Sequence, residues 1–156
     1  MSPETLRTVT VDRIALARYR VTNVAGDSIE VGEGGGALSA VELLLAAMAC
    51  CAASDVDHIT SKRSEPETFS VEAHGDKTRD EEGNRLINLG LDFKIDFPEG
   101  DGGERARAVL PRAVEETRDR LCTVSRTIAL PNDLTFRVSP PGGGNTTEGG
   151  VGEVDL

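Results

Sequence analysis

Positive charge is short in this sequence relative to negative charge. Seventeen Lys and Arg face 27 Asp and Glu across 156 residues, for a net charge of −10. No Lys/Arg cluster offsets that excess, so a nucleic-acid partner is excluded on electrostatic grounds. The opening MSPETLRTVT is polar and has no secretory apolar core. The longest apolar stretch, Ala40 to Ala53, carries Glu42 and falls short of the ~20 residues a bilayer demands. The expected setting is the cytoplasm, with no membrane partner. Cysteine is scarce and odd in number: Cys50, Cys51 and Cys122. A structural disulfide framework is not expected in an intracellular chain with that count. Only two histidines occur, His58 and His74; neither stands near a cysteine at zinc-site spacing, and no metal is expected. The GEGGG run at Gly32–Gly36 lacks the strand–loop–helix pattern of a phosphate cradle. No internal repeat is visible. From Pro140 the chain reads PPGGGNTTEGGVGEVDL, which has almost nothing to bury. This divides the sequence into one domain, residues 1–139, and a Gly-rich tail, 140–156, expected to be disordered.

Within the domain, short alternating stretches at Thr8–Ile14, Tyr19–Asn23 and Ser28–Val31 predict a strand meander. Ser39 and Glu42 form an S-x-x-E capping box. Behind it every residue from Ala40 to Ala53 except Glu42 is apolar, which predicts a long helix buried on all sides and fading near Thr60–Lys62. Phe69, Val71 and Ala73 alternate after Pro66. After the turn at DEEGN, Ile87, Leu89, Leu91, Phe93, Ile95 and Phe97 fall on one face of a long strand with a wet opposite side. Glu104–Leu121 predicts a second helix with a stripe of Val109, Leu110, Ala113, Val114, Thr117 and Leu121, started or kinked by Pro111. A short further helix is expected over Cys122–Ala129, and a last strand through Leu134, Phe136 and Val138. The order β-β-β-α-β-β-α-β describes an α+β domain with antiparallel sheet and helices on one face.

The candidate chemistry is sulfur chemistry. A cysteine inside an apolar helix is ordinarily a small hydrophobe, and it is also a position where a nucleophile is shielded from side reactions. Neighbours on a helix differ by ~100°, so Cys50 and Cys51 cannot face the same partner. If Cys122 opens a new helix, that helix's amides favour its thiolate, and Arg126 one turn on is a candidate to add positive charge. Asp55 shares a side of the helix with Cys51, where a carboxylate raises the thiol pKa. His58 follows, leaving open both a Cys51/His58 nucleophile pair and a polar helix exit.

Two segments carry a family resemblance. SAVELLLAAMACCAASDV, Ser39 to Val56, resembles the central helix of the OsmC/Ohr proteins, of the form SPxELLLAAxAGCxAxDV. LCTVSRTI, Leu121 to Ile128, resembles their second cysteine segment, YCxVSxTL. The likeness extends over Thr8 to Val138. It implies an OsmC-like α+β fold, antiparallel sheets around a long buried central helix, and an intertwined homodimer with sites at the subunit interface. It also implies a thiol-dependent hydroperoxide reductase serving oxidative-stress defence. In that implied mechanism Cys51 is the peroxidatic cysteine and Cys122 the resolving one, with no cofactor beyond an external thiol or dithiol reductant, and Cys50 is a bystander. The chain departs from the best characterised reductases in having Val41 where they carry a Glu. No Arg sits in a recognisable thiolate-pairing motif, although Arg13, Arg18 and Arg20 lie in the N-terminal meander. Two other classes stay open: a non-catalytic protein holding a small apolar ligand at the dimer interface, and a Cys51/His58 hydrolase.

Overall fold

The computed structural model describes residues 5–140; the expected tail, 140–156, lies outside them except for Pro140. Three strands, β1 (Val9–Ala15), β2 (Arg18–Asn23) and β3 (Ser28–Gly32), form an antiparallel sheet in the order β1-β2-β3. The helix α1 (Ala40–Thr60) follows, then a long hairpin of β4 (Thr68–Asp80) and β5 (Gly83–Asp96). The chain continues through α2 (Asp101–Glu116), a π turn (Thr117–Leu121) and α3 (Thr123–Ala129). The α+β class and antiparallel pairing are as expected. There are two separate antiparallel sheets, and α1 packs against β4, α2, α3 and, marginally, β3.

Each helix begins for a chemical reason. Ser39 Oγ accepts from the Glu42 amide at 3.2 Å while the Ser39 amide donates to Glu42 Oε2 at 2.8 Å, completing the capping box. That carboxylate is held below its ordinary pKa by the Ser39 amide and then by the Ser39 hydroxyl. α2 has no side-chain cap. Its first turn instead passes so close to the preceding loop that only glycine fits at 103, where a Cβ would stand 1.8 Å from the Pro98 carbonyl oxygen. Pro111 lies inside α2, which neither starts nor ends there.

The core is small and lies where α1 meets α2 and α3. Met48, Ala52, Val56 and Thr60, spaced by four, form the buried row of α1. They share the interior with Phe97, Ala106, Ala113 and Cys122. The expectation that α1 is buried all round is therefore corrected: Val41 and Leu44 are exposed, and so is Cys50. Two further expectations change. At Asn88, whose φ is +53°, the β5 register shifts opposite His74 and Asp76, and Ile87 leaves the apolar row for solvent. The stretch through Leu134, Phe136 and Val138 forms no strand; these side chains are 82%, 89% and 99% exposed. Alternation supplied the pattern, but within one chain no sheet edge receives it.

Candidate functional site

Cys51 lies in the second half of α1, one turn before Asp55 on the same face. Cys122 reaches this face by way of the π turn. Its amide donates to the Thr117 carbonyl at 3.0 Å, five residues back, and this widened turn ends the helical path before α3 begins. Cys122 is then the N-cap of α3, its sulfur accepting the Ser125 amide at 3.3 Å. The side chain is fully buried, whereas Cys51 is half-buried. The two sulfurs and a carboxylate oxygen of Asp55 all lie within 4.8 Å of one another. Sequence reasoning singled out all three residues. It had no means of seeing that they form one cluster, because the meeting depends on how α1 crosses the π turn and α3.

The electrostatics of the cluster follow from this placement. Burial raises the Cys51 pKa above that of an ordinary thiol; the amide of Val124 opposes the rise, the neighbouring Cys122 thiol adds to it, and the Thr123 amide opposes it. The amides at the start of α3 thus serve both sulfurs: Ser125 donates to Cys122, as the sequence led one to expect, and Val124 and Thr123 act on Cys51. The Asp55 carboxylate, expected to raise the Cys51 pKa, is not among the groups that do so. Its Oδ2 is buried and has no hydrogen-bond partner among the described residues.

The expected cations are elsewhere. Arg126 donates to the Asp119 carbonyl, outside the cluster. Arg18 and Arg20 pair with Glu30 at 2.8 and 3.5 Å. The His58 ring Nδ1 is 2.6 Å from the Ser54 carbonyl on an exposed part of α1, bound to its own helix, and it is not a member of the cluster. The Cys51/His58 pair thereby loses its geometric basis. Cys50, the expected bystander, is exposed on another side of α1. Among the described residues, no helix is long and apolar enough to cross a membrane.

The family model described as OsmC-like protein matches residues 32–137, which include both cysteine segments. No curated protein matches the sequence. Several solved structures share the fold. A hypothetical protein from Aquifex aeolicus is 20% identical with a TM-score of 0.64, over 80% of this chain and 87% of its own. An OsmC-like protein of unknown function from Vibrio cholerae is 12% identical with a TM-score of 0.65, over 79% and 93%. The organic hydroperoxide resistance protein OhrB of Bacillus subtilis is 18% identical with a TM-score of 0.51, over 80% and 90%. At these identities the likeness is one of fold.

Proposed function

The chain belongs to the OsmC-like family, and on that premise we propose that it is a thiol-dependent hydroperoxide reductase in which Cys51 is peroxidatic and Cys122 resolving. The observation that carries this reading is the approach of the two sulfurs to within 4.8 Å. In the first step the Cys51 thiolate attacks the distal oxygen of the hydroperoxide. An S–O bond forms, the O–O bond breaks, and the alkoxide or hydroxide leaves to take up a proton. Cys51 is now a sulfenic acid. The Cys122 sulfur attacks it, the disulfide forms, and the sulfenic oxygen departs as water. An external thiol or dithiol returns both cysteines to the reduced state by exchange. The amides of Val124 and Thr123, which favour the Cys51 thiolate, support the first step. The proposed setting is the cytoplasm, where thiols are kept reduced.

The working unit in this reading is a homodimer. Val9, Val11, Tyr19 and Ile29 stand exposed on the N-terminal sheet, Val41 and Leu44 on α1, and Leu134, Phe136 and Val138 near the C-terminal end of the described chain. Apolar exposure on this scale calls for a covering surface, and a second copy supplies one of matching character. Light scattering on the purified protein is expected to give twice the chain mass.

The decisive experiment is peptide mapping under non-reducing conditions after one equivalent of cumene hydroperoxide or hydrogen peroxide. A single intramolecular Cys51–Cys122 disulfide is expected. Cys51→Ser is expected to abolish it, and Cys122→Ser to leave a sulfenic acid that a dimedone probe traps. Full retention of both free thiols in the wild type would overturn the reading. The raised pKa of Cys51, with no arginine among the described groups that act on it, favours one alternative. This is a non-catalytic member that holds a small apolar ligand at the dimer interface, with its ligand affinity retained in Cys51→Ser.

A further inference from the structure

We propose that the reduced cluster of Cys51, Asp55 and Cys122 is a binding site for a thiophilic divalent cation of the zinc type, with two sulfur ligands, one carboxylate ligand and an open fourth position. No cysteine–histidine spacing in the sequence announces such a site, because its donors come from two distant segments. Cys51 and Asp55 sit one turn apart on a single face of α1, and Cys122 is fixed as the N-cap of α3. Ligands on rigid helical elements hold their geometry better than ligands on loops.

The distances suit the ion. Zinc–sulfur bonds of ~2.3 Å and zinc–oxygen bonds of ~2.0–2.2 Å in a tetrahedron put neighbouring ligand atoms ~3.5–3.8 Å apart. The three donors already lie within 4.8 Å of one another, so side-chain adjustments of about 1 Å or less close the site. An independent observation points the same way: Asp55 Oδ2 is buried with no hydrogen-bond partner among the described residues. A buried carboxylate oxygen without a donor is costly, and a metal ion is the partner that satisfies it. Arg126, the cation that the sequence offered, is engaged instead with the Asp119 carbonyl. The donor set then selects the metal. Two thiolates exclude calcium and magnesium, which take oxygen ligands, and favour zinc, cobalt or cadmium.

Binding is not a redox step. The ion displaces the thiol protons to solvent, two sulfur–metal bonds and one oxygen–metal bond form, and water takes the fourth position. The cation stabilises the Cys51 thiolate that burial disfavours. A disulfide between Cys51 and Cys122 has no free sulfur to donate, so metal and disulfide exclude one another. The proposal needs only the three reduced donors and does not depend on peroxide turnover. Its failure and the failure of the peroxidase reading are therefore distinguishable.

The test is a cobalt titration of the full, reduced chain under anaerobic conditions, with no peroxide present. One equivalent per chain is expected to give thiolate-to-cobalt charge-transfer absorption and the intense visible bands of tetrahedral coordination, and zinc should bleach both. Cys50→Ser should leave the spectrum unchanged, and Cys51→Ser and Cys122→Ser should abolish the charge-transfer band. Asp55→Asn should weaken binding at least tenfold. Protein first oxidised to the Cys51–Cys122 disulfide should give no band. Cadmium NMR of the wild type, which is independent of any variant's folding, should report two sulfur ligands. The proposal is overturned by absence of the charge-transfer band, by affinity unchanged in Asp55→Asn, by a requirement for Cys50, or by a cadmium shift indicating any other number of sulfurs.

Discussion

Two buried threonines allow the packing around the π turn to be tested by sign as well as by size. Thr60 and Thr117 are 0% and 2% exposed, and each carries a hydroxyl into the core. Thr60 Oγ1 donates to the Val56 carbonyl at 3.0 Å, whereas Thr117 Oγ1 has no partner among the described residues. Valine keeps the shape and removes the hydroxyl. Thr60→Val removes a made hydrogen bond and is expected to destabilise by about 1 kcal/mol. Thr117→Val removes a hydroxyl that folding strips of water without compensation, and it is expected to stabilise by about 1 kcal/mol. The Thr117 carbonyl that receives the Cys122 amide is untouched by the change. The two variants should therefore differ by about 2 kcal/mol, with Tm moving in opposite directions by about 2–4 °C each. Urea unfolding should be followed by circular dichroism, in excess reductant and at one fixed protein concentration, since self-association shifts apparent stability. Thr117→Val as destabilising as Thr60→Val would refute the reasoning, and would mean that the Thr117 hydroxyl is satisfied by a water or by a second subunit.

Three further outcomes are expected. Gly103→Ala should destabilise by about 1–3 kcal/mol in the same unfolding assay, because the new Cβ would meet the Pro98 carbonyl at 1.8 Å, although helix propensity alone favours alanine. Glu42 has a folded pKa below its ordinary value, so the stability it contributes is present above that ordinary value and is lost as pH falls through the folded one. Glu42→Gln should accordingly flatten the fall in thermal stability on acidification, and an unchanged pH profile would count against the capping box. Cys50→Ser should leave the yield of the Cys51–Cys122 disulfide unchanged after one equivalent of peroxide, because Cys50 is exposed away from the cluster; a lower yield by peptide mapping would give Cys50 a part in the chemistry.

Local patterns in the sequence carried the element order from β1 to α3 because capping, alternation and helical stripes are short-range signals. Ser39 and Glu42 mark the start of α1 and behave as their spacing requires. The misreadings share a cause: each concerns a surface whose cover, or whose register, is set at a distance. The all-apolar face of α1 and the alternating Leu134–Val138 stretch imply burial, yet in a single chain both leave large side chains in solvent. The bulge at Asn88 and the π turn at Thr117–Leu121 each shift the phase of a periodic pattern, which moves Ile87 and Leu121 off rows they would otherwise occupy. At the site, the residue types were visible and their partners were not. Val124 and Thr123 meet Cys51 only through the crossing of two helices far apart in sequence.

The sulfur of Cys122 holds two posts at once, as a member of the thiol cluster and as the acceptor that closes the first turn of α3 through Ser125. Whatever bonds to that atom alters the electron pair that the Ser125 amide leans on. The amide proton of Ser125 is thus a built-in gauge of sulfur chemistry, readable by hydrogen exchange or by its NMR shift. It needs no label at either cysteine, and it reports on the reduced, oxidised and metal-loaded protein alike.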